Sequence, residues 1–114
     1  MKIWVDDVRD IPSDNYVYAR SVNRAKKLIE YYEDVLQSAR KTNDTEVINI
    51  YTIELIDIDH DAGEYANDGG DYIKLLDWLE ETGRNYPIRV HSMNPVGRQN
   101  MLAIAEHNRW KIIG

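Results

Sequence analysis

Three apolar runs in this chain each stop at a polar cluster. Ile3-Trp4-Val5 ends at Asp6-Asp7, the run from Val47 to Ile58 ends in Asp57-Ile58-Asp59-His60-Asp61, and Ile88-Arg89-Val90-His91 leads into Ser92-Met93-Asn94-Pro95. Runs of β-formers cut short by polar residues read as buried strands that reach the edge of a sheet. Tyr16 to Arg20 adds a second strand in chain order, and Trp110 to Ile113 a last one. The run from 47 to 58 is long for one strand, so a bulge or break is expected near Thr52.

Between these runs the apolar period changes to that of a helix. Ser21 suits an N-cap, and Val22, Ala25, Leu28, Ile29, Tyr32, Val35, Leu36 and Ala39 follow at helical spacing until Thr42-Asn43-Asp44. A second helix carries Tyr72, Ile73, Leu75, Leu76, Trp78 and Leu79 and stops at Gly83, and a third runs from Gly97 to His107. Ala62 to Gly70 reads as a loop. Alternating strands and helices predict an α/β domain with a mainly parallel sheet, occupying residues 1–114 as one unit. In such sheets chemistry gathers outside the carboxyl ends of the strands, so the three polar clusters are expected on one rim.

Composition narrows the functions open to that rim. The chain has no cysteine, which excludes thiolate metal sites and a cysteine nucleophile. Its net charge of −6 disfavours gripping long nucleic acid along the backbone. No apolar run approaches the ~20 residues of a membrane span, and the N-terminus is too short and acidic for a signal peptide, so a cytoplasmic protein is expected. No GxGxxG or Walker pattern occurs, and no nucleotide cofactor is expected.

Asp6, Asp7, Asp59 and Asp61 at adjacent strand ends would repel one another unless a cation or a proton relieved them. Oxygen donors of this kind suit a divalent cation such as magnesium or manganese. His60 and His91 fall at neighbouring strand ends. Two imidazoles on either side of a phosphorus can divide the proton transfers, one accepting from water and one donating to the leaving alkoxide. Arg98 opens a helix after Asn94-Pro95-Val96-Gly97, and with Ser92, Asn94 and the backbone amides it forms a candidate phosphate cradle. Arg9 is close enough in sequence to the first acidic pair to reach the same edge. His107 reads as a surface residue, and Tyr65, after Asp61, as the tyrosine best placed to stack on a substrate.

Asp6-Asp7-Val8-Arg9 with Pro12, Asp59-His60-Asp61-Ala62-Gly63, and His91-Ser92-Met93-Asn94-Pro95-Val96-Gly97-Arg98 through Asn100-Met101 resemble the cyclic-phosphate-processing receiver domains. The likeness covers nearly the whole chain. It implies a receiver-like, flavodoxin-like fold with a five-stranded sheet in the order 2-1-3-4-5. It also implies a phosphoesterase that processes cyclic phosphates, at RNA ends or on cyclic nucleotides, with Asp59, His60 and His91 as the catalytic residues. In ordinary receivers Asp59 matches the phospho-acceptor, and signalling through Asp59 is the alternative, with a non-catalytic interaction module as the third reading. Two helices of ordinary receivers are expected to be absent: Arg9–Asn15 leaves no room for the first, and the chain stops before the last. The receiver lysine after the fifth strand is missing too, since Lys111 falls within that strand. The missing helices would bare one apolar sheet face, where a homodimer or a partner protein is expected. The short connection leaves the second strand open to a parallel or an antiparallel place.

Overall fold

The computed structural model describes residues 1–114. Four strands, β1 (Lys2–Val5), β2 (Tyr16–Ala19), β3 (Leu55–Ile58) and β4 (Ile88–Val90), form one sheet in the order β2-β1-β3-β4. Every pairing is parallel, including that of β2 with β1. Four α-helices accompany them: α1 (Val22–Thr42), α2 (Thr45–Tyr51), α3 (Ile73–Glu81) and α4 (Pro95–His107).

Local signals explain most boundaries. Ser21 Oγ accepts the Arg24 amide at 3.1 Å and starts α1. Asn43 ends it in the left-handed conformation at φ 53°, where its N–H meets the carbonyls of Ala39 and Arg40. Asn94 Oδ1 accepts the Gly97 amide at 3.0 Å and starts α4 one residue before Pro95, where a missing N–H costs nothing.

Two expectations need correction. The run from Val47 to Ile58 is not one strand: its first part is α2, and only Leu55–Ile58 joins the sheet. Asp44 caps that helix by accepting the Val47 amide at 3.2 Å, and Tyr51 packs its ring on Tyr32 at 4.8 Å. Capping and packing on α1 therefore override the β-propensity of valine and isoleucine there. The expected break at Thr52 is the residue that ends α2. The expected fifth strand, Trp110–Ile113, makes a single parallel bridge from Ile112 to Ile88, so the sheet has four strands rather than five. Its neighbour β4 is only three residues long and has little ladder to extend.

Strand side chains alternate between the two faces. Ile3, Val5, Ala19, Ile56, Ile58, Ile88 and Val90 share one core with Val22 and Ile29 of α1, Leu75, Leu76 and Leu79 of α3, and Met101 and Ala105 of α4. The other face carries Lys2, Trp4, Tyr16, Tyr18, Leu55, Asp57 and Arg89, and none of them belongs to that core. β2 lies on the opposite side of β1 from β3, so right-handed crossovers must pass over opposite faces. The helical connections take the first face, and the helix-free segment 6–15 takes the second. Trp4 Nε1 donates to the Arg9 carbonyl at 3.1 Å, and Tyr18 OH to Asp10 Oδ1 at 2.9 Å.

The face without helices is not bare: Trp4, Tyr16 and Leu55 on it are buried, and segment 6–15 crosses it. Lys2, Asp57 and Arg89 add charged groups to that face. No helix is long and apolar enough to cross a membrane.

Glu33 of α1 joins the segment after α3 to the body of the fold. Arg84 Nε reaches both Glu33 carboxylate oxygens at 3.0 Å, Arg84 Nη2 reaches one at 2.8 Å, and Tyr86 OH donates to the other. Burial would raise the Glu33 carboxyl, but the bonds from Arg84 and Tyr86 and the Arg84 charge outweigh it and hold it below its ordinary value. A lowered carboxyl stabilises the fold above its unfolded pKa, and that contribution fades as pH falls through the folded value. Glu33→Gln is expected to cost about 1–2 kcal/mol at neutral pH. In urea titrations the gap between variant and wild type should close as the pH is lowered beneath the ordinary glutamate value of 4.5.

Candidate functional site

Val5 pairs with Ile58, and Ile58 with Val90, so β1, β3 and β4 end level with one another. The next residue of each strand is Asp6, Asp59 or His91. One ligating atom from each lies within 4.8 Å of the others, a grouping that could hold a metal ion.

Asp6 is fully buried. Its Oδ1 accepts the amides of Val8 at 3.0 Å and Arg9 at 2.9 Å, and its Oδ2 lies 2.8 Å from His91 Nε2. Burial would raise this carboxyl, but those amides and His91 outweigh it and hold it below the ordinary aspartate value. Asp7 goes the other way. Burial pushes it up, the Asp6 and Asp59 charges add to that, and its own backbone N–H only partly offsets them. Asp7 stands against Gly63, whose φ of +55° and missing Cβ both suit glycine, because a Cβ there would run into the Asp7 carboxylate. Asp59 Oδ1 accepts the His60 amide at 2.7 Å. Beneath these acids Tyr72 OH donates to the Arg20 carbonyl at 2.7 Å. Burial, together with Asp7, Asp6 and Asp59, pushes its phenol far up, so it stays protonated.

His91 is held from three directions. Its ring stacks on Trp4 with centroids 3.9 Å apart and planes 4° from parallel. Nδ1 lies 2.7 Å from Asp57 Oδ1, and Nε2 faces Asp6. Only 8% of the side chain is exposed. Two lone pairs do not meet at such a distance, so a proton or a cation sits between Nε2 and Asp6.

His60 leaves the same edge on the helix side. Its Nδ1 lies 2.8 Å from Asp61 Oδ1, and its ring rests on Gly97 in the first turn of α4. Asp61 thus turns to His60 and lies outside the Asp6–Asp59–His91 group, as does Asp7. The two histidines flank the rim, His91 on the helix-free face and His60 against α4. Two guanidiniums reach the end of β4: Arg9 Nη1 donates to the His91 carbonyl at 3.1 Å, and Arg98 Nη1 to the Val90 carbonyl. Ser92 Oγ accepts the Asn94 amide at 3.1 Å, so Ser92 and Asn94 shape the turn into α4. Tyr65 packs partly buried against the core within a 3-10 turn, Gly63–Asn67, and His107 is exposed. A surface groove of about 610 Å³ between α1 and α2, lined by Tyr31, Val35 and Val47 among others, contains none of these residues.

Sequence reasoning missed Asp57, Trp4 and Arg20. Arg20 Nη1 donates to the carbonyls of Asp6 at 3.1 Å and Arg9 at 2.9 Å. Asp57 had a readable signal, since an acid between Ile56 and Ile58 alternates onto the same face as Asp59.

In comparison with known proteins, the family described as Cyclic-phosphate processing Receiver domain matches residues 1–107. No curated protein and no solved structure matches the chain.

Gly97→Ala places a methyl group where the His60 ring now lies. The variant is expected to fold with a loss of about 1–3 kcal/mol. It should shift the His60 ring resonances in NMR spectra while leaving those of His107 in place.

Proposed function

The chain belongs to the family of cyclic-phosphate processing receiver domains, and from that premise we propose that it is a phosphoesterase that opens cyclic phosphates at this rim. The supporting observation is the convergence of Asp6, Asp59 and His91 within 4.8 Å. Arg9 and Arg98 stand at the same edge. The substrate class is a small cyclic phosphate or the 2′,3′-cyclic phosphate at an RNA terminus.

The donor set fits a divalent cation, because two carboxylates and an imidazole face one point. With His91 as one donor the set is mixed oxygen and nitrogen, which favours manganese over magnesium. Such a cation supplies Lewis acidity toward a phosphoryl oxygen when bound.

The protein's own residues account for the rest. Arg9 and Arg98 each use one N–H on a backbone carbonyl and keep the others for phosphate oxygens. Water attacks phosphorus, an O–P bond forms, and one ester O–P bond of the ring breaks, leaving a phosphate monoester and a free hydroxyl. Asp61 holds His60 through Nδ1, which leaves Nε2 to take the proton from water and return it to the departing oxygen. His91, held between Asp6 and Asp57, is the fixed donor of the group, while His60, with 17% of its side chain exposed, is the more accessible imidazole.

The test is ring opening of a panel of 2′,3′-cyclic nucleotides with manganese, followed by ³¹P NMR. Wild type is expected to yield monoesters, and His60→Ala should lose about 10²–10⁴-fold in kcat. Chelation by EDTA should stop turnover. Opening that survives in both His60→Ala and His91→Ala would sink the mechanism. A stable mass gain from acetyl phosphate, lost in Asp59→Asn, would make Asp59 a phospho-acceptor instead.

A further inference from the structure

Asp57 lies in the middle of β3, between two isoleucines of the core, and none of its surface is exposed. A buried carboxylate is costly unless well partnered, and an apolar residue would fill a sheet face at lower cost. Asp57 is well partnered. Oδ2 accepts from Tyr16 OH at 3.1 Å and faces Arg89 Nη1 at 3.5 Å, while Oδ1 is committed to His91 Nδ1 at 2.7 Å. It sits one sheet period behind Asp59, so it approaches His91 from the side away from the rim. Trp4 fixes the plane of the ring, and Asp57 fixes its rotation within that plane.

We propose that Asp57 is a positioning residue: it accepts the Nδ1 proton of His91 and so keeps Nε2 turned toward Asp6 and the point shared with Asp59. Carboxylates placed behind a ligating histidine set its tautomer and orientation in this way. The inference rests on the reading of Asp6, Asp59 and His91 as the working group, and it adds a residue that never meets the substrate.

The test uses the full chain with ¹⁵N-labelled histidine. Long-range ¹H–¹⁵N spectra of the wild type, recorded without metal or substrate, should show His91 protonated at Nδ1. In Asp57→Asn that signature should shift, and manganese affinity measured by calorimetry should fall about 10–100-fold. On an accepted cyclic phosphate, kcat should fall by a similar factor, with KM within about twofold. Tyr16→Phe is the control. It removes the other short contact to Asp57 and loosens the same face, yet the His91 signature and the manganese affinity should persist, which a merely structural role for Asp57 would not allow.

A wild-type spectrum with His91 protonated at Nε2 alone would overturn the proposal. So would an Asp57→Asn protein with unchanged tautomer and affinity. If Asp57→Asn does not fold, the spectra of wild type and Tyr16→Phe decide it. If no cyclic phosphate is opened by the wild type, the phosphoesterase reading fails, and the spectra still decide the role of Asp57.

Discussion

Parallel strands that end at the same level are the constraint on which this molecule depends. Because Val5, Ile58 and Val90 lie in register, the residues that follow them have no choice but to share a rim. That rim then collects carboxylates whose mutual repulsion must be answered. Backbone amides and His91 answer it for Asp6, whereas Asp7 remains the acid whose charged form is disfavoured. Moving any one strand by a single residue would turn its terminal group to the other face and dissolve the cluster.

The second organising fact is the helix-free crossover from β1 to β2. A helix over that face would have called for apolar residues at 57 and 89. Without one, the strands carry Asp57 and Arg89, which with Tyr16 and His91 form a hydrogen-bonded layer behind the rim. The main apolar cluster lies on the other side, where α1, α3 and α4 close it. One face thus packs against the helices, and the other orders the side chains behind the rim.

Much of this was readable in the sequence. The strand ends at Asp6, Asp59 and His91, the Ser21 cap and the stop near Asn43 follow from local rules that the packing respects. Residues 47–51 look like a strand because valine and isoleucine favour strands, while the cap at Asp44 and the Tyr32–Tyr51 contact, which spans two helices, decide otherwise. The last strand was overestimated because its pairing depends on the length of a neighbour that local sequence does not reveal. Asp57 reads locally as one more strand residue, while its meaning lies in a contact 34 residues away, at His91. Side-chain pairs across a sheet are invisible until the register is known.

The segment between β1 and β2 is short, but it is fastened along its length. The indole of Trp4 and the guanidinium of Arg20 both hold the Arg9 carbonyl, the amides of Val8 and Arg9 grip Asp6, and Tyr18 holds Asp10. A loop tied at so many points has already surrendered its conformational freedom during folding. A ligand arriving at the rim therefore meets a preorganised wall, and little ordering entropy is left to oppose its binding.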